Sequence, residues 1–260
     1  MRVNYHTHTC RCKHAGGTEE DYVLAAIKND IKILGFSDHA PFPGNENYGL
    51  RMEYSELDDY LNELDRLKEI YSDRITLYKG LEIEYFRKNL NYYEELLTKR
   101  GLDYLLLGEH TYMSDNNSSK SIYSADSTEC YLEYANAISE GLSTGYFKIL
   151  AHPDLCMINP FAWDYNCDKA FDIISEAASR YGTIIEFNAN GIRRGLTDYP
   201  DGKRYPYPDN RFWSRLKGSD IKVIVGSDCH NPSVIWDEAV NLSYKTMSDL
   251  HLTPLENIFR

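Results

Sequence analysis

The sequence predicts an α/β fold, a single barrel in which seven parallel strands alternate with helices. Short apolar runs alternate with amphipathic segments along the chain, which is typical of repeated strand–helix units. The length of 260 residues suits such a barrel, since barrels of this kind use about 250 residues as one domain. Neither an internal repeat nor a linker divides the chain, so we expect residues 1–260 to form one domain. A doubly wound open sheet is the structural alternative.

The strands are predicted from runs rich in β-branched and large apolar residues. In chain order they cover residues 3–5, 33–36, 75–83, 102–107, 147–150, 183–187 and 221–225. In either architecture, the loops that follow the strands gather at the carboxyl ends of the sheet.

The helices are predicted from capping residues and apolar stripes. Thr18 begins a helix that ends at about Lys28, and a second helix covers residues 54–71 and opens at Ser55. A third opens at 126–129 and runs to about Glu140, with Gly141 as its stop signal. Two further helices are predicted at 168–181 and 233–242. Segments 40–54 and 190–212 are rich in Gly, Pro, Asn and Tyr, and we expect long binding loops there.

The net charge of −12 argues against partners such as nucleic acid or an anionic membrane surface. The chain has no basic segment followed by an apolar run at its start, and no stretch of about 20 apolar residues. We therefore expect a cytoplasmic protein; the sequence leaves its oligomeric state open. The six cysteines are expected to stay reduced. Cys10 and Cys12 could bind a soft metal, but small side chains in a crowded loop are the favoured interpretation.

The histidines indicate a metal site. Seven of the eight histidines follow a predicted strand, whereas His251 is expected on the surface. His6 and His8 are two residues apart on a strand and therefore point to the same face. With two carboxylates at other strand ends, nine nitrogen and oxygen donors are predicted: His6, His8, His14, His39, Glu82, His110, His152, Asp228 and His230. Since a zinc-like ion uses about four ligands, nine donors predict two or three divalent ions, of zinc, iron or manganese.

These motifs, taken in order, resemble the PHP (polymerase and histidinol phosphatase) family. The motifs are His6-Thr-His8, His14, Ser37-Asp38-His39-Ala40-Pro41, Gly80-Leu-Glu82-Ile-Glu84, Gly108-Glu-His110, Ala151-His152-Pro153-Asp154 and Ser227-Asp228-Cys229-His230. The resemblance implies a distorted, TIM-like (β/α)7 barrel with a trinuclear centre. It assigns the first ion to His6, His8, Glu82 and Asp228, the second to Glu82, His110 and His152, and the third to His14, His39 and His230.

Within the family, the chain is similar to histidinol-phosphate phosphatases. The helix 54–71 and the segment Glu186-Phe-Asn188-Ala-Asn-Gly191-Ile-Arg193 support this likeness, whereas Glu109 stands where a small or apolar residue is usual. The likeness implies hydrolysis of L-histidinol phosphate to L-histidinol and phosphate, in histidine biosynthesis. Our sequence-based hypothesis is that a hydroxide bridging two ions attacks phosphorus.

The site residues are assigned roles accordingly. Glu82, His152 and Asp228 are predicted to be catalytic. Arg193 and Arg194 could bind phosphate through forked hydrogen bonds, and Asn190 is a further candidate for substrate binding. Asp38, Glu84 and Asp154 flank ligands and could orient imidazoles or protonate the leaving group.

Other functions are compatible with parts of this pattern. A phosphoesterase of the same family could act on a sugar phosphate, a nucleotide or phosphotyrosine. An amidohydrolase that cleaves C–N bonds also uses two barrel histidines, but that class leaves His14 and His39 without a role. A non-catalytic metal-binding module is disfavoured because the donor set is complete.

Overall fold

The computed structural model describes residues 1–44, 49–114 and 118–259. Seven parallel strands pair in chain order and form one sheet. They are β1 (Arg2–Asn4), β2 (Ile31–His39), β3 (Thr76–Ile83), β4 (Tyr104–Leu107), β5 (Phe147–Leu150), β6 (Ile184–Asn188) and β7 (Val223–Gly226). The residues after β7 bond back to those after β1, where Asp228 N donates to His6 O at 2.9 Å and His8 N donates to Cys229 O at 3.1 Å. The sheet therefore forms a nearly closed barrel, and the predicted fold class is confirmed.

Helices surround this barrel, and two small hairpins extend from it. The helices are α1 (Glu19–Lys28), α2 (Leu57–Ile70), α3 (Leu90–Thr98), α4 (Glu129–Ser143), α5 (Tyr165–Tyr181), α6 (Ala189–Arg193), α7 (Asn210–Trp213) and α8 (Glu238–Asp249). Shorter 3-10 turns lie at Cys10–Cys12, Tyr54–Glu56, Arg87–Asn89, Ile122–Ser124, Leu155–Ile158, Ser214–Leu216 and Pro232–Val234. The hairpins pair Thr111–Met113 with Ser119–Ser121 and Thr197–Tyr199 with Gly202–Arg204. None of the helices in the described ranges is long and apolar enough to cross a membrane.

A small apolar cluster fills the inside of the barrel, separate from the larger core between strands and helices. Tyr104 lies in this inner cluster, and its hydroxyl donates to the backbone oxygens of Tyr5 (2.7 Å) and Phe36 (2.9 Å). Gly35 and Gly80 leave space for the ring, since a Cβ on either would lie within 2.5 Å of Tyr104. On their strands the members of this cluster precede the predicted metal donors. The cluster therefore lies nearer the amino ends of the strands than the donors do.

The predicted strands are confirmed. The capping residues determine where the helices begin. Thr18 and Asp21 form a capping box at the start of α1, as predicted. α5 begins at Tyr165, three residues earlier than predicted, because the Asp164 side chain accepts from the backbone N–H groups of residues 166 and 167. α8 begins at Glu238 rather than at residue 233, because Asp237 caps it and a 3-10 turn occupies Pro232–Val234.

The prediction that Gly141 stops a helix is wrong. Gly141 lies inside α4, which continues to Ser143. A Cβ at Gly141 would lie 3.1 Å from Tyr85 Cβ and 3.2 Å from Leu107 Cδ2. The glycine therefore allows the helix to approach the strand layer closely, which tertiary packing decides and local sequence does not.

The two predicted loops are only partly irregular. Segment 190–212 contains the end of α6, the hairpin Thr197–Tyr199 and Gly202–Arg204, and the start of α7. Residues 45–48 of the other predicted loop lie outside the described residues. The helix α3 was not predicted. It buries Tyr92, Tyr93 and Leu96 but has no side-chain cap, so its start carries little signal in the sequence.

Candidate metal centre

All nine predicted donors lie together at the carboxyl end of the barrel. His6 and His8 are fully buried, whereas the other seven line a cavity of 410 Å³. Two donors turn sharply from their strands into this cavity, since His152 and Asp228 have φ values of 29° and 47°. Non-glycine residues adopt this left-handed conformation uncommonly, and it costs roughly 1–3 kcal/mol where the surrounding structure imposes it. The backbone is thus strained at these two predicted donors.

The first group of donors has the spacing of a tetrahedral site. His6 Nε2 and His8 Nε2 are 3.0 Å apart. Glu82 Oε2 lies 3.4 Å from His6 Nε2 and 3.3 Å from His8 Nε2. Asp228 Oδ1 lies 3.7 and 3.3 Å from the same two nitrogens. Donors that each lie about 2.1 Å from a tetrahedral ion are about 3.4 Å apart, so the two nitrogens fit one divalent ion together with either carboxylate oxygen.

Glu82 connects this group to a second one through its other oxygen. Glu82 Oε1 lies 2.9 Å from His152 Nε2 and 3.5 Å from His110 Nε2. His39 Nδ1 lies 3.2 Å from Glu82 Oε2. The two oxygens of one buried carboxylate thus face different sets of imidazoles, which is the arrangement of a bridging ligand.

A third group lies nearer the mouth, where His14 Nε2 and His230 Nε2 are 3.1 Å apart. The opposite nitrogen of each ring faces a backbone oxygen, with His14 Nδ1 2.8 Å from Cys12 O and His230 Nδ1 3.3 Å from Asp228 O. Each Nδ1 therefore carries the proton, and each Nε2 presents a lone pair to the other ring. Two facing lone pairs repel unless a cation lies between them, so this pair fits a metal ion.

His39 and Cys12 lie at the borders of these groups. The donor atoms of His39 lie within 4.8 Å of those of Glu82 and His110, and also of those of His8 and His230. His39 is therefore placed between the second and third groups, whereas the family resemblance assigns it to the third alone. Cys12 lies within the same distance of His14 and His230. Its thiol donates to Thr9 O at 3.2 Å, and all six cysteines are free.

The pKa values agree with a cation site. Burial would lower the pKa of His6, but the carboxylates of Glu186, Asp228 and Glu82 outweigh it and raise this pKa well above its ordinary value. The first group thus attracts positive charge strongly. In the third group, burial and the neighbouring His8 lower the pKa of His230 to about 4. His230 is neutral at pH 7, as a metal ligand must be.

Glu186 is a functional residue that the site prediction missed. Its Oε1 accepts from His6 Nδ1 at 2.8 Å, and its Oε2 accepts from His152 N at 3.2 Å and Asn188 Nδ2 at 2.8 Å. It therefore fixes the ring of His6 so that Nε2 faces the first group. A Cβ on Gly226 would lie 1.6 Å from Glu186 Oε1, so β7 needs glycine here. The sequence did carry an indication of this role, because Glu186 is a single glutamate inside the apolar run of β6.

The three carboxylates that flank ligands have different positions. Asp38 accepts from Thr9 N (3.1 Å) and His39 N (2.9 Å) and so holds two donor loops together. Glu84 lines the cavity, binds Arg51 with both oxygens and lies 3.4 Å from His110 Nδ1.

Asp154 does not line the cavity in the part of the chain that the structure describes. Its Oδ2 accepts from Asp209 N at 2.6 Å and Trp213 Nε1 at 3.0 Å. Asp154 therefore anchors the segment around residue 209, and of the three flanking carboxylates only Glu84 faces the space where a substrate would lie.

The structure separates the predicted substrate-binding residues. Asn190 and Arg194 line the cavity, and Asn190 Nδ2 donates to Asp228 Oδ2 at 3.2 Å. Arg193 does not line it: Nε donates to Asp237 Oδ2 at 2.7 Å, and the terminal nitrogens donate to Asp237, Val234 O and both oxygens of Ser227. The helix α6 points consecutive side chains in different directions, which explains why only one arginine of the pair reaches the cavity.

Glu109 is buried next to the donor His110, but its side chain points elsewhere. Oε2 accepts from Tyr85 N at 2.9 Å. Burial raises the pKa of Glu109 well above its ordinary value, and the Tyr85 N–H offsets this only in part. Within the described ranges it does not line the cavity, so this departure from the usual family pattern adds no side chain to the cavity wall.

Comparison with known proteins identifies the family of this chain. The PHP domain family matches residues 4–190, which is most of the chain. The chain belongs to the PHP domain family. The matched range includes seven of the nine donors. Asp228 and His230 lie beyond it, and it is the structure that brings them to the other PHP donors.

Relatives of this PHP chain carry related names. A protein of Deinococcus radiodurans named "Probable histidinol-phosphatase" is 26% identical over 236 residues, which cover 88% of this chain and 86% of that protein. The histidinol-phosphatase of Bacillus subtilis is 24% identical over 252 residues, covering 86% and 92%. A histidinol phosphate phosphatase of Lactococcus lactis, solved with zinc, L-histidinol and phosphate, has the same fold, with a TM-score of 0.74 at 15% identity, covering 98% of this chain and 95% of the other.

Proposed function

We propose that this protein is a metal-dependent phosphatase that hydrolyses L-histidinol phosphate to L-histidinol and inorganic phosphate. The observation that carries the proposal is the cavity of 410 Å³, which is lined by seven of the nine donors and by a cationic side chain, Arg194. Its volume is that of a small-molecule site. The names of the relatives support the choice of substrate and the place in histidine biosynthesis.

The donor groups supply the metal-binding part of the reaction. We propose that they hold two to three divalent ions, of zinc, iron or manganese, with Glu82, His152 and Asp228 among the ligands nearest the reacting phosphate. When bound, such ions generate a nucleophile from water at neutral pH and neutralise charge on phosphoryl oxygens. Glu186 keeps His6 in the tautomer that can ligate, and the backbone oxygens of Cys12 and Asp228 do the same for His14 and His230.

Arg194 is proposed to bind the phosphate. Its Nε donates to the Tyr207 hydroxyl at 3.2 Å, and Tyr207 is buried, so the arginine is held in one orientation. In the described part of the chain its two terminal nitrogens have no protein partner, which leaves both for phosphoryl oxygens. Asn190 lies beside it and bonds to Asp228, so it positions that ligand next to the phosphate.

The whole chain is proposed to act as one unit with a small phosphorylated substrate as its partner. The ligands come from residue 6 at one end to residue 230 near the other, so no half of the barrel contains a complete site. An amidohydrolase function is disfavoured because no lysine lines the cavity within the described ranges, and His14 and His39 both belong to the donor groups.

The experiment that tests the function is release of inorganic phosphate from L-histidinol phosphate by metal-replete protein. We expect kcat/KM to exceed that for p-nitrophenyl phosphate by orders of magnitude, with two to three ions bound per chain in the same sample. Bound metal with equal, slow turnover of sugar phosphates, nucleotides and phosphotyrosine would leave a PHP phosphoesterase of another specificity. Metal-replete protein that hydrolyses no phosphate ester would contradict the proposal.

The two neighbouring arginines are expected to respond differently to substitution. Arg193→Ala should lower the free energy of unfolding by about 2 kcal/mol, because it leaves the part-buried carboxylate of Asp237 without its charged partner. Arg194→Ala should leave stability nearly unchanged and raise KM for histidinol phosphate at least about tenfold. Urea denaturation and steady-state kinetics measure both effects. A stable Arg193→Ala protein with raised KM would show that the assignment is reversed.

A further inference from the structure

The side chains at the mouth of the active-site cavity differ in polarity from those in its buried part. Its buried part carries imidazoles and carboxylates such as His152, Glu82 and Asp228, whereas Leu50 and Tyr123 line the mouth. Both are exposed, Leu50 by 61% and Tyr123 by 45%. A large apolar side chain left exposed beside a ligand cavity is informative, because it leaves apolar surface for a ligand to cover.

The backbone around Tyr123 is held in place, although the ring of Tyr123 is exposed. It lies in the 3-10 turn Ile122–Ser124, and the adjacent Ile122 is fully buried. Ile122 N donates to His110 O at 3.0 Å, and Ile122 O accepts from Asn159 Nδ2 at 2.8 Å. The ring lies nearly parallel to that of His110, at 6° and with 6.1 Å between centroids. The backbone that carries this ring is thus held next to the donor His110, which lowers the ordering that ligand binding requires.

Polar groups adjoin this ring. Thr111 and Ser121 are paired across the hairpin that leads into the turn, and both line the cavity. The mouth therefore offers a flat aromatic face and hydroxyl groups next to it. A flat ring that carries N–H groups matches both features, since its face can stack and its edge can form hydrogen bonds.

We propose that Tyr123 determines specificity by stacking against a planar ring in the leaving group, with Thr111 and Ser121 bonding to that ring's edge. The proposal rests on the proposed function, in which the leaving group carries an imidazole, and it adds the residues that recognise this part. The substrate then spans the cavity, with its phosphate near the donors and Arg194 and its ring at the mouth.

The test compares L-histidinol phosphate with phosphoethanolamine, which keeps the amino group and the phosphate but lacks the imidazole. Tyr123→Leu is expected to lower kcat/KM about tenfold for histidinol phosphate, the size of one aromatic stacking interaction. It should change the value for phosphoethanolamine less than twofold. Tyr123→Phe keeps the ring and should behave like the unaltered protein. Tyr165→Leu removes an exposed tyrosine at the start of α5, outside the cavity lining, and should leave kcat/KM for both substrates unchanged.

A binding measurement complements the kinetics. Calorimetric titration with L-histidinol should show about tenfold weaker binding to Tyr123→Leu and unchanged binding to Tyr123→Phe. An equal loss of kcat/KM for both substrates in Tyr123→Leu would overturn the proposal, because Tyr123 would then act on the phosphate or on the shape of the site. Equal effects of Tyr123→Leu and Tyr123→Phe would also overturn it, because the hydroxyl would be the essential group.

Failure of the proposed function is a separate result. It would appear as unaltered, metal-replete protein that does not hydrolyse histidinol phosphate. The same variants then test the stacking role of Tyr123, by comparing kcat/KM for p-nitrophenyl phosphate with kcat/KM for phosphoethanolamine. A selective loss for the aromatic ester in Tyr123→Leu would retain the stacking role, and parallel losses would remove it.

Discussion

Glu82→Gln is expected to lower kcat/KM for histidinol phosphate by about a hundred- to a thousandfold, with loss of bound metal. The two oxygens of Glu82 face different imidazole sets, with Oε2 near His6 and His8 and Oε1 near His152 and His110. An amide removes the negative charge and points an N–H donor at nitrogens that must present lone pairs. Phosphate release and metal content per chain, measured on the same sample, check this expectation.

Glu109→Gln is the matched control for that change. Glu109 is equally buried and lies on the neighbouring strand end, but its carboxylate accepts from Tyr85 N and, among the described residues, lies outside the donor groups. Burial raises its pKa well above the ordinary value and so favours the neutral form, and an amide has nearly the same shape as that form. We expect unchanged metal content and activity. Glu82→Gln protein that retains both its metal and full turnover would show that the bridging role is wrong.

Removal of the metal ions is expected to lower Tm by about 10 °C or more. Ligands that bind only the folded state stabilise it by about 4 kcal/mol at a thousand times Kd, and about 1 kcal/mol shifts Tm by roughly 2–4 °C in a chain of this size. The first group supplies the physical reason: Glu82, Asp228 and Glu186 converge on His6, and all of them are buried. Thermal melts before and after chelation, with metal content measured, give the shift.

Reversibility separates this effect from damage to the protein. Added zinc or manganese should restore Tm after chelation, and Arg194→Ala should respond to chelation like the unaltered protein, because Arg194 lies outside the donor groups. Glu82→Gln should show a smaller shift, since part of its metal is already lost. A chain stripped of metal with an unchanged Tm would show that these donors do not hold metal in the folded state.

Much of the site was determined by sequence because the donors follow strands. In a parallel barrel the carboxyl ends of all strands meet at one end of the fold, so residues such as His6, Glu82 and Asp228 come together whatever the loops do. Strand periodicity also places His6 and His8 on one face. The seven strands were also predictable from the sequence, since each is a short apolar run that is followed by polar residues.

Tertiary structure alone decided which neighbouring side chain reaches the cavity. Arg193 and Arg194 are alike in sequence, but the turn of α6 sends the first to Asp237 and the second to the cavity. The role of Glu186 depends on a contact with His6, 180 residues away along the chain, which no local pattern reports.

The same limit explains the misread helix stop and the missed specificity residue. Gly141 allows close packing against Tyr85 rather than ending the helix, and the backbone bond from Ile122 to His110 brings the turn that carries Tyr123 next to that donor. Local patterns determine which residues end a strand, since backbone geometry repeats along it. The direction of a side chain beyond that end depends on packing between distant segments, and only the folded chain sets it.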